Sequence, residues 1–374
     1  MEAAVVGCGR VGMAIARRLG QLGFTRITLI DASLESAERA AELAGAKARA
    51  AKVDAADLGE LSSVLEGHDV ACVALPGSVG PLGVSAGLRA GVSVVDVSYS
   101  DVDPFSFSSL AHEREVAFVP DCGVAPGLSN ILAGRAESKL GELEELKIYV
   151  GGIPARPEPP LEYCITWSVE DLIEEYTRPA RIVADGRVAA VEPLSGLEEV
   201  EFPSSPPLRL EAFYTDGLRT LIKTIKARRM FEKTLRYPGH AAKIKLLREL
   251  GLMSSEAVEV SGVQVRPRDL LAELLKRRLK PCRDMVLLMV EARGAGGRAR
   301  FTMVDEYSEA EGLSAMARTT GYTAASVALL VAEGEVEAGV VPPEELGKRE
   351  GLYTRITRLL AESGIEVFEE VLSP

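Results

Sequence analysis

Residues 3–12 leave the start of this chain very few folds to choose from. Ala3, Ala4, Val5 and Val6 form an unbroken apolar run that ends in Gly7, Cys8, Gly9, Arg10, Val11 and Gly12. A run apolar on both faces suits a buried parallel strand, and residues 11–19 continue with helical apolar spacing. Strand, glycine turn and helix in that order can cradle a phosphate. Gly7 permits the tight turn, Gly9 lets a pyrophosphate approach the backbone, and Gly12 lets the helix lie close on the strand. The helix start at Arg10 and Val11 supplies free N–H groups and a partial positive charge. A second strand over residues 26–30 then ends on Asp31, at the spacing of an acid that accepts adenosine ribose hydroxyls. The same carboxylate repels a 2′-phosphate. Neither Ala32 nor Ser33 supplies a cation, and the next arginine is Arg39. NAD is therefore the expected cofactor.

The chain has 374 residues, enough for two or three domains with a sizeable core. Its net charge of -12 argues against a nucleic-acid surface, which would show a basic stripe. No apolar run reaches membrane-spanning length, and the first strand begins almost at Met1, leaving no room for a signal peptide. The cytoplasm is the expected compartment. Cys8, Cys72, Cys122, Cys164 and Cys282 show no CxxC spacing and read as free thiols. With three histidines in all, no metal site is expected.

Strand and helix keep alternating through the first third. Apolar runs over residues 47–53, 69–75, 92–97 and 116–119 are separated by helical stretches such as 55–65 and 81–90. The pattern predicts an α/β fold with a Rossmann-type doubly wound parallel sheet, whose ligands gather at the carboxyl ends of the strands. One rim would then hold Asp31, Asp54 with Ala55, Ala74 with Leu75 and Pro76, and Asp96 with Val97, Ser98 and Tyr99. Residues 1–130 are expected to form this nucleotide domain, completed by residues 312–374. Residues 131–311 read as a second α/β domain with a mixed, largely antiparallel sheet. Asp185 and Gly186 suit a hairpin turn there.

Residues 120–130, with two glycines and two prolines, form a rigid passage out of the nucleotide domain. Asp121 and Cys122 are expected near the nicotinamide, with Gly123 beside the substrate; a plain interdomain linker is the alternative. Trp167 and Ser168 precede a helix, so Ser168 is either an N-cap or a substrate contact. Thr215 and Asp216 carry the same ambiguity. Arg236, Tyr237 and His240 bracket a Pro-Gly turn, a way to hold a carboxylate and to offer a proton acceptor.

These segments, together with Glu174, Glu175, Tyr176, Phe213 and residues 320–322, resemble the saccharopine dehydrogenase-like superfamily, most closely its L-lysine 6-dehydrogenase branch. The resemblance covers nearly the whole chain. It implies NAD-dependent oxidative deamination of the lysine ε-amine to 2-aminoadipate 6-semialdehyde, with the active site between two domains of a homodimer. On that reading Asp121 or His240 takes the amine proton, Tyr99 and Ser98 lie beside the nicotinamide, Arg236 holds the substrate carboxylate, and Asp216 or Glu175 holds its ammonium. A saccharopine or carboxynorspermidine-type dehydrogenase stays open as an alternative, as does a non-catalytic NAD-binding regulator.

Overall fold

The computed structural model describes residues 1–166 and 168–372. They form two compact units. The first comprises Met1–Lys139 and Ala317–Glu366; the second comprises Leu140–Met316 and the strand Val367–Leu372.

Both boundaries differ from those expected. The first unit runs past Asn130 because the helix Leu128–Leu140 packs backbone to backbone within it. A Cβ on Gly134 would stand 1.9 Å from the Glu344 carbonyl oxygen, and one on Gly347 would stand 1.9 Å from that of Ile131. The stretch after residue 312 does not all return to the first unit, since Val367–Leu372 pairs with a strand of the second.

In the first unit, β1 (Glu2–Val6), β2 (Arg26–Asp31), β3 (Ala48–Lys52), β4 (Val70–Val73), β5 (Ser93–Asp96) and β6 (Ala117–Val119) are all parallel, in the order β6-β5-β4-β1-β2-β3. The short strand Gly339–Val340 adds beside β6. The winding reverses at β1, so a crevice opens between the carboxyl ends of β1 and β4. Central strands explain the unbroken apolar run: Ala3, Ala4, Val5 and Val6 are buried on both faces. Leu61, Leu65, Val84 and Leu88 cover one face from their helices. Each such side chain contributes about 1.5–3 kcal/mol on burial.

The second unit is built on β7 (Leu143–Pro154), β8 (Ala180–Ala184), β9 (Arg187–Val191), β10 (Glu198–Phe202), β11 (Leu208–Thr215), β12 (Ala227–Arg236), the small hairpin β13 (Val258–Val260) and β14 (Val263–Val265), β15 (Asp284–Gly294) and β16 (Gly297–Glu306). Its main sheet runs β10-β11-β12-β7-β15-β16, with Val367–Leu372 at the far edge and β8 on β12. Only β12 and β7 pair in parallel, so the sheet is mixed and largely antiparallel. Asp185 and Gly186 close the β8–β9 hairpin with φ of 49° and 75°, the two positive values a type I′ turn requires. The helices Val169–Thr177, His240–Glu249 and Pro267–Arg278 share a core with Phe213 of β11.

Two cysteines are not free. Cys164 and Cys282 are joined, with Cα atoms 6.0 Å apart across 118 residues of sequence. No local spacing signals a pair so far apart in the chain. Among the described residues no helix is long and apolar enough to cross a membrane.

The glycine loop yields a first test. A Cβ on Gly12 would lie 1.9 Å from the Gly7 carbonyl oxygen, whereas one on Gly9 meets nothing within 4 Å. Gly12→Ala should cost about 1–3 kcal/mol of stability, and Gly9→Ala under about 0.5 kcal/mol. Urea melts of both variants check this, and equal midpoints would contradict it.

Candidate active site

The dinucleotide half is built from strand ends of the first unit. Gly7 takes φ of 94°, and its missing side chain admits the Ala74 carbonyl oxygen, which a Cβ would meet at 2.4 Å. Gly9 precedes the helix Arg10–Gln21 without a side-chain cap, so the space at Gly9 and the helix start suit a pyrophosphate. Asp31 accepts the Cys8 N–H on Oδ2 and the Ser33 N–H on Oδ1, both at 2.8 Å. The carboxylate thereby fixes the loop, while each oxygen keeps acceptor capacity for a ribose hydroxyl. Ser33 also caps the helix Leu34–Ala44, and Ala32 is exposed. Asp54 accepts the Ala56 N–H at 2.9 Å beside buried Ala55.

The remaining rim residues follow the strand ladders. The N–H groups of Ala74, Val97 and Cys122 donate to the carbonyls of Val6, Val73 and Asp96. Leu75 is half-buried and Pro76 exposed, and half-buried Tyr99 presses its carbonyl on Gly77. The Ser98 N–H donates to Asp96 at 2.8 Å, yet its hydroxyl is buried without a partner, an orphan group at a ligand rim.

Asp121 is 3% exposed, with φ of 50°. Cys122 is fully buried, and burial pushes its thiol well above the usual range, so it fills space as a neutral group. From Gly123 the segment closes on itself. The Gly123 N–H donates to the Pro126 carbonyl and the Leu128 N–H to the Gly123 carbonyl, and Asn130 accepts the Gly127 N–H while donating to Glu344.

The second unit holds a buried polar network. Alternation along β12 sends Glu232, Thr234 and Arg236 to one face. Glu175 and Tyr176 from the helix Val169–Thr177 meet them there. Arg236, 3% exposed, donates from Nη2 to both Glu175 oxygens at 3.2 Å, from Nη1 to the Leu235 carbonyl at 3.0 Å and from Nε to the Tyr176 hydroxyl at 3.2 Å. Its guanidinium also stacks on the Tyr163 ring at 4.9 Å.

The tautomer of His240 follows from these bonds. The Leu161 carbonyl can only accept, so Nδ1 carries the hydrogen at 2.7 Å and Nε2 accepts from Tyr176 at 2.8 Å. Burial, reinforced by Arg236, lowers the imidazole from 6.5 to about 3. Gly239 at φ of 93° starts the helix His240–Glu249. The Glu211 carboxylate caps it by accepting the N–H groups of Gly239 and Ala241 at 2.9 and 2.6 Å.

Several expected roles change. Arg236 and Glu175, expected to hold opposite ends of a substrate, are each other's ion-pair partners. Asp216 is likewise engaged, taking a two-pronged bond from Arg181 at 2.9 Å. His240 has both ring nitrogens bonded and stays neutral, so it positions Tyr176 and is not a free base. Tyr237 donates to the Pro154 carbonyl at 3.0 Å. Ser168 is an N-cap, accepting the Asp171 N–H at 3.3 Å. The next helix begins at Leu221 with Thr220 at its N-cap position, so neither Thr215 nor Asp216 is its N-cap. Trp167 lies outside the described residues. Sequence reading missed Glu232, which neighbours Lys233 in an ordinary charged strand and carries no signal of which face is buried.

An open parallel sheet with a glycine cradle and a strand-end acid is a dinucleotide-binding fold. Two family models match the chain: Saccharopine dehydrogenase NADP binding domain over residues 3–121, and Saccharopine dehydrogenase C-terminal domain over residues 123–365. The chain belongs to the saccharopine dehydrogenase family. It is 22% identical over 296 residues to Saccharopine dehydrogenase [NADP(+), L-glutamate-forming] of Saccharomyces cerevisiae, covering 75% of this chain and 65% of that protein. It is 28% identical over 232 residues to the mitochondrial alpha-aminoadipic semialdehyde synthase of Bos taurus, covering 58% of this chain and 25% of that one. The chain thus spans less than two thirds of either relative. The solved structure of apo saccharopine dehydrogenase (L-Glu forming) from Saccharomyces cerevisiae shares the fold across the full length of both chains, with a TM-score of 0.80 and 21% identity.

A neutral buried His240 makes a stability prediction. Its folded value lies below its unfolded one, so below about pH 6.5 the unfolded chain binds a proton the folded chain refuses. Stability should fall on acidification from about pH 6.5 towards pH 3, by roughly 1 kcal/mol per pH unit. His240→Gln should flatten that slope in thermal melts; an unchanged slope would show that the histidine is protonated in the fold.

Proposed function

We propose that this chain is an NAD-dependent dehydrogenase, working as a homodimer, that oxidatively deaminates the ε-amine of L-lysine. The product is 2-aminoadipate 6-semialdehyde, which cyclises, with release of ammonia and NADH. The observation that carries the reading is the glycine cradle ending on Asp31, in a chain of this family. Asp31 supports NAD over NADP because its carboxylate repels a 2′-phosphate, although the matching family model and the yeast relative are named for NADP.

The nicotinamide, when bound, accepts a hydride from the carbon that bears the amine. The amine must first be neutral, so a base takes one N–H proton and the imine left behind adds water, expelling ammonia. Asp121 is the residue proposed for that proton and Tyr99 a neighbour of the reacting carbon. The engaged Arg236, Glu175 and Asp216 support a structural role in shaping the second unit, leaving the substrate's charged ends to other groups.

A second reading, oxidation of a secondary amine such as saccharopine, is favoured by the name of the yeast relative. NADH absorbance over a panel of lysine, saccharopine and polyamine adducts decides between them. Lysine should be oxidised faster as pH rises towards about 10, where its free amine accumulates. Saccharopine oxidation without lysine oxidation would overturn the first reading in favour of the second. Silence on every amine with NAD bound would overturn both and leave a binding protein. Asp31→Ser should weaken NAD binding about tenfold by loss of roughly 1.4 kcal/mol and narrow its lead over NADP; unchanged binding would remove Asp31 from the site.

A further inference from the structure

Four side chains of the second unit form an unbroken line: Glu232, Thr215, Thr234 and Glu175. The Glu232 Oε1 lies 3.3 Å from the Thr215 hydroxyl, which lies 2.9 Å from the Thr234 hydroxyl, which donates to Glu175 Oε1 at 2.7 Å. Three links need three protons, and two hydroxyls supply only two. Glu175 is the ion-pair partner of Arg236, and Thr234 donates to it. Thr234 then accepts from Thr215, and Thr215 has nothing left to give to Glu232. The third proton must come from Glu232 itself. Its other oxygen, Oε2, is buried without any partner, and the residue is 4% exposed. An ionised carboxylate there would have neither oxygen satisfied, at a cost of several kcal/mol. Gly217 closes the remaining side: a Cβ there would stand 1.9 Å from the Glu232 carboxyl.

We infer that Glu232 is a neutral carboxylic acid and the stored-proton end of a buried relay that runs through Thr215 and Thr234 to Glu175. Transfer breaks the Glu232 O–H bond and forms one on Thr215. The Thr215 proton passes to Thr234, and the Thr234 proton to Glu175. One proton moves, both threonines end as hydroxyls, and the negative charge moves from Glu175 to Glu232. That loosens the Arg236 ion pair without any exchange with solvent. The charged groups around Glu232 agree with storage at this end. Glu175 on the adjacent helix and Asp216 after β11 both oppose its ionisation. Arg236 of its own strand is spent on Glu175, and Arg181 of β8 on Asp216. Burial, then Glu175, raises the carboxyl from 4.5 to about 8.

Infrared spectroscopy of the protein carrying carbon-13 glutamate tests the relay directly. At neutral pH the carbonyl stretch of a protonated carboxyl should be present, fade with a midpoint near pH 8, and be absent from Glu232→Gln. Its absence from the wild type, or its persistence in the variant, would overturn the inference. Should Glu232→Gln not fold, Thr215→Val takes its place. That variant should shift the band to higher frequency, because the acid loses its acceptor, and an unmoved band would overturn the relay. Thermal melts give a second reading. A carboxyl with a raised folded value contributes stability in full below its unfolded value and loses it as pH rises through the folded value. The wild type should therefore lose several degrees relative to Glu232→Gln between about pH 6 and about pH 9, whereas parallel profiles would show an ionised Glu232. Neither measurement depends on which amine is the substrate.

Discussion

A guanidinium cannot lie 3% exposed in a protein interior unless an anion and several acceptors are brought to it, and the polar half of the second unit is arranged around that demand. Arg236 takes Glu175 from the helix Val169–Thr177, the Tyr176 hydroxyl from the same helix and the carbonyl next to it in β12. Those choices propagate. Tyr176, having accepted from Arg236, has its proton free for His240, and His240 then holds the Leu161 carbonyl. Glu175, having taken the charge, calls on Thr234 and Thr215. One buried cation thereby sets the direction of the hydrogen bonds around it, and breaking the pair from either side would strand a charge in the core, a loss of about 3–5 kcal/mol.

The first unit is ordered by close approach of backbones. Gly7, Gly12, Gly134 and Gly347 each stand where a side chain would strike a main-chain oxygen. The glycine loop can therefore meet a phosphate with N–H groups alone, and Asp31 ties that loop to the end of β2 through the Cys8 N–H. The ligand half of the fold is specified by what its residues lack, and the second unit by what its residues must satisfy.

That contrast explains what could be read from the sequence. Glycine spacing, apolar runs and the Asp185-Gly186 turn are local patterns, so the parallel sheet, the β8–β9 hairpin and the mixed character of the second sheet were all legible. The network was not. Arg236 and Glu175 lie 61 residues apart, and Cys164 and Cys282 lie 118 apart. Nothing in either neighbourhood states the partner. Arg236 and His240 stood out as chemically able groups, but whether such groups face a ligand or one another is decided by strand pairing and helix packing. Ser168 shows the easier case, because a cap needs only the three residues that follow it.

The strand Val367–Leu372 completes the second sheet by pairing with β16, from Met303↔Val367 to Arg298↔Leu372. Ala317–Glu366, which build part of the first unit, lie between the two partners. Contacts of such long sequence separation form late, because the loop must be closed before they reward the chain. Until then β16 is an open edge, with its main-chain donors and acceptors ready for any passing strand. Once in place, the added strand brings Glu369 and Glu370 to the new border beside exposed Phe368 and Leu372. The sheet thereby moves its border outward, and its resistance to strand-to-strand aggregation depends on a segment that docks only after a detour through the other unit.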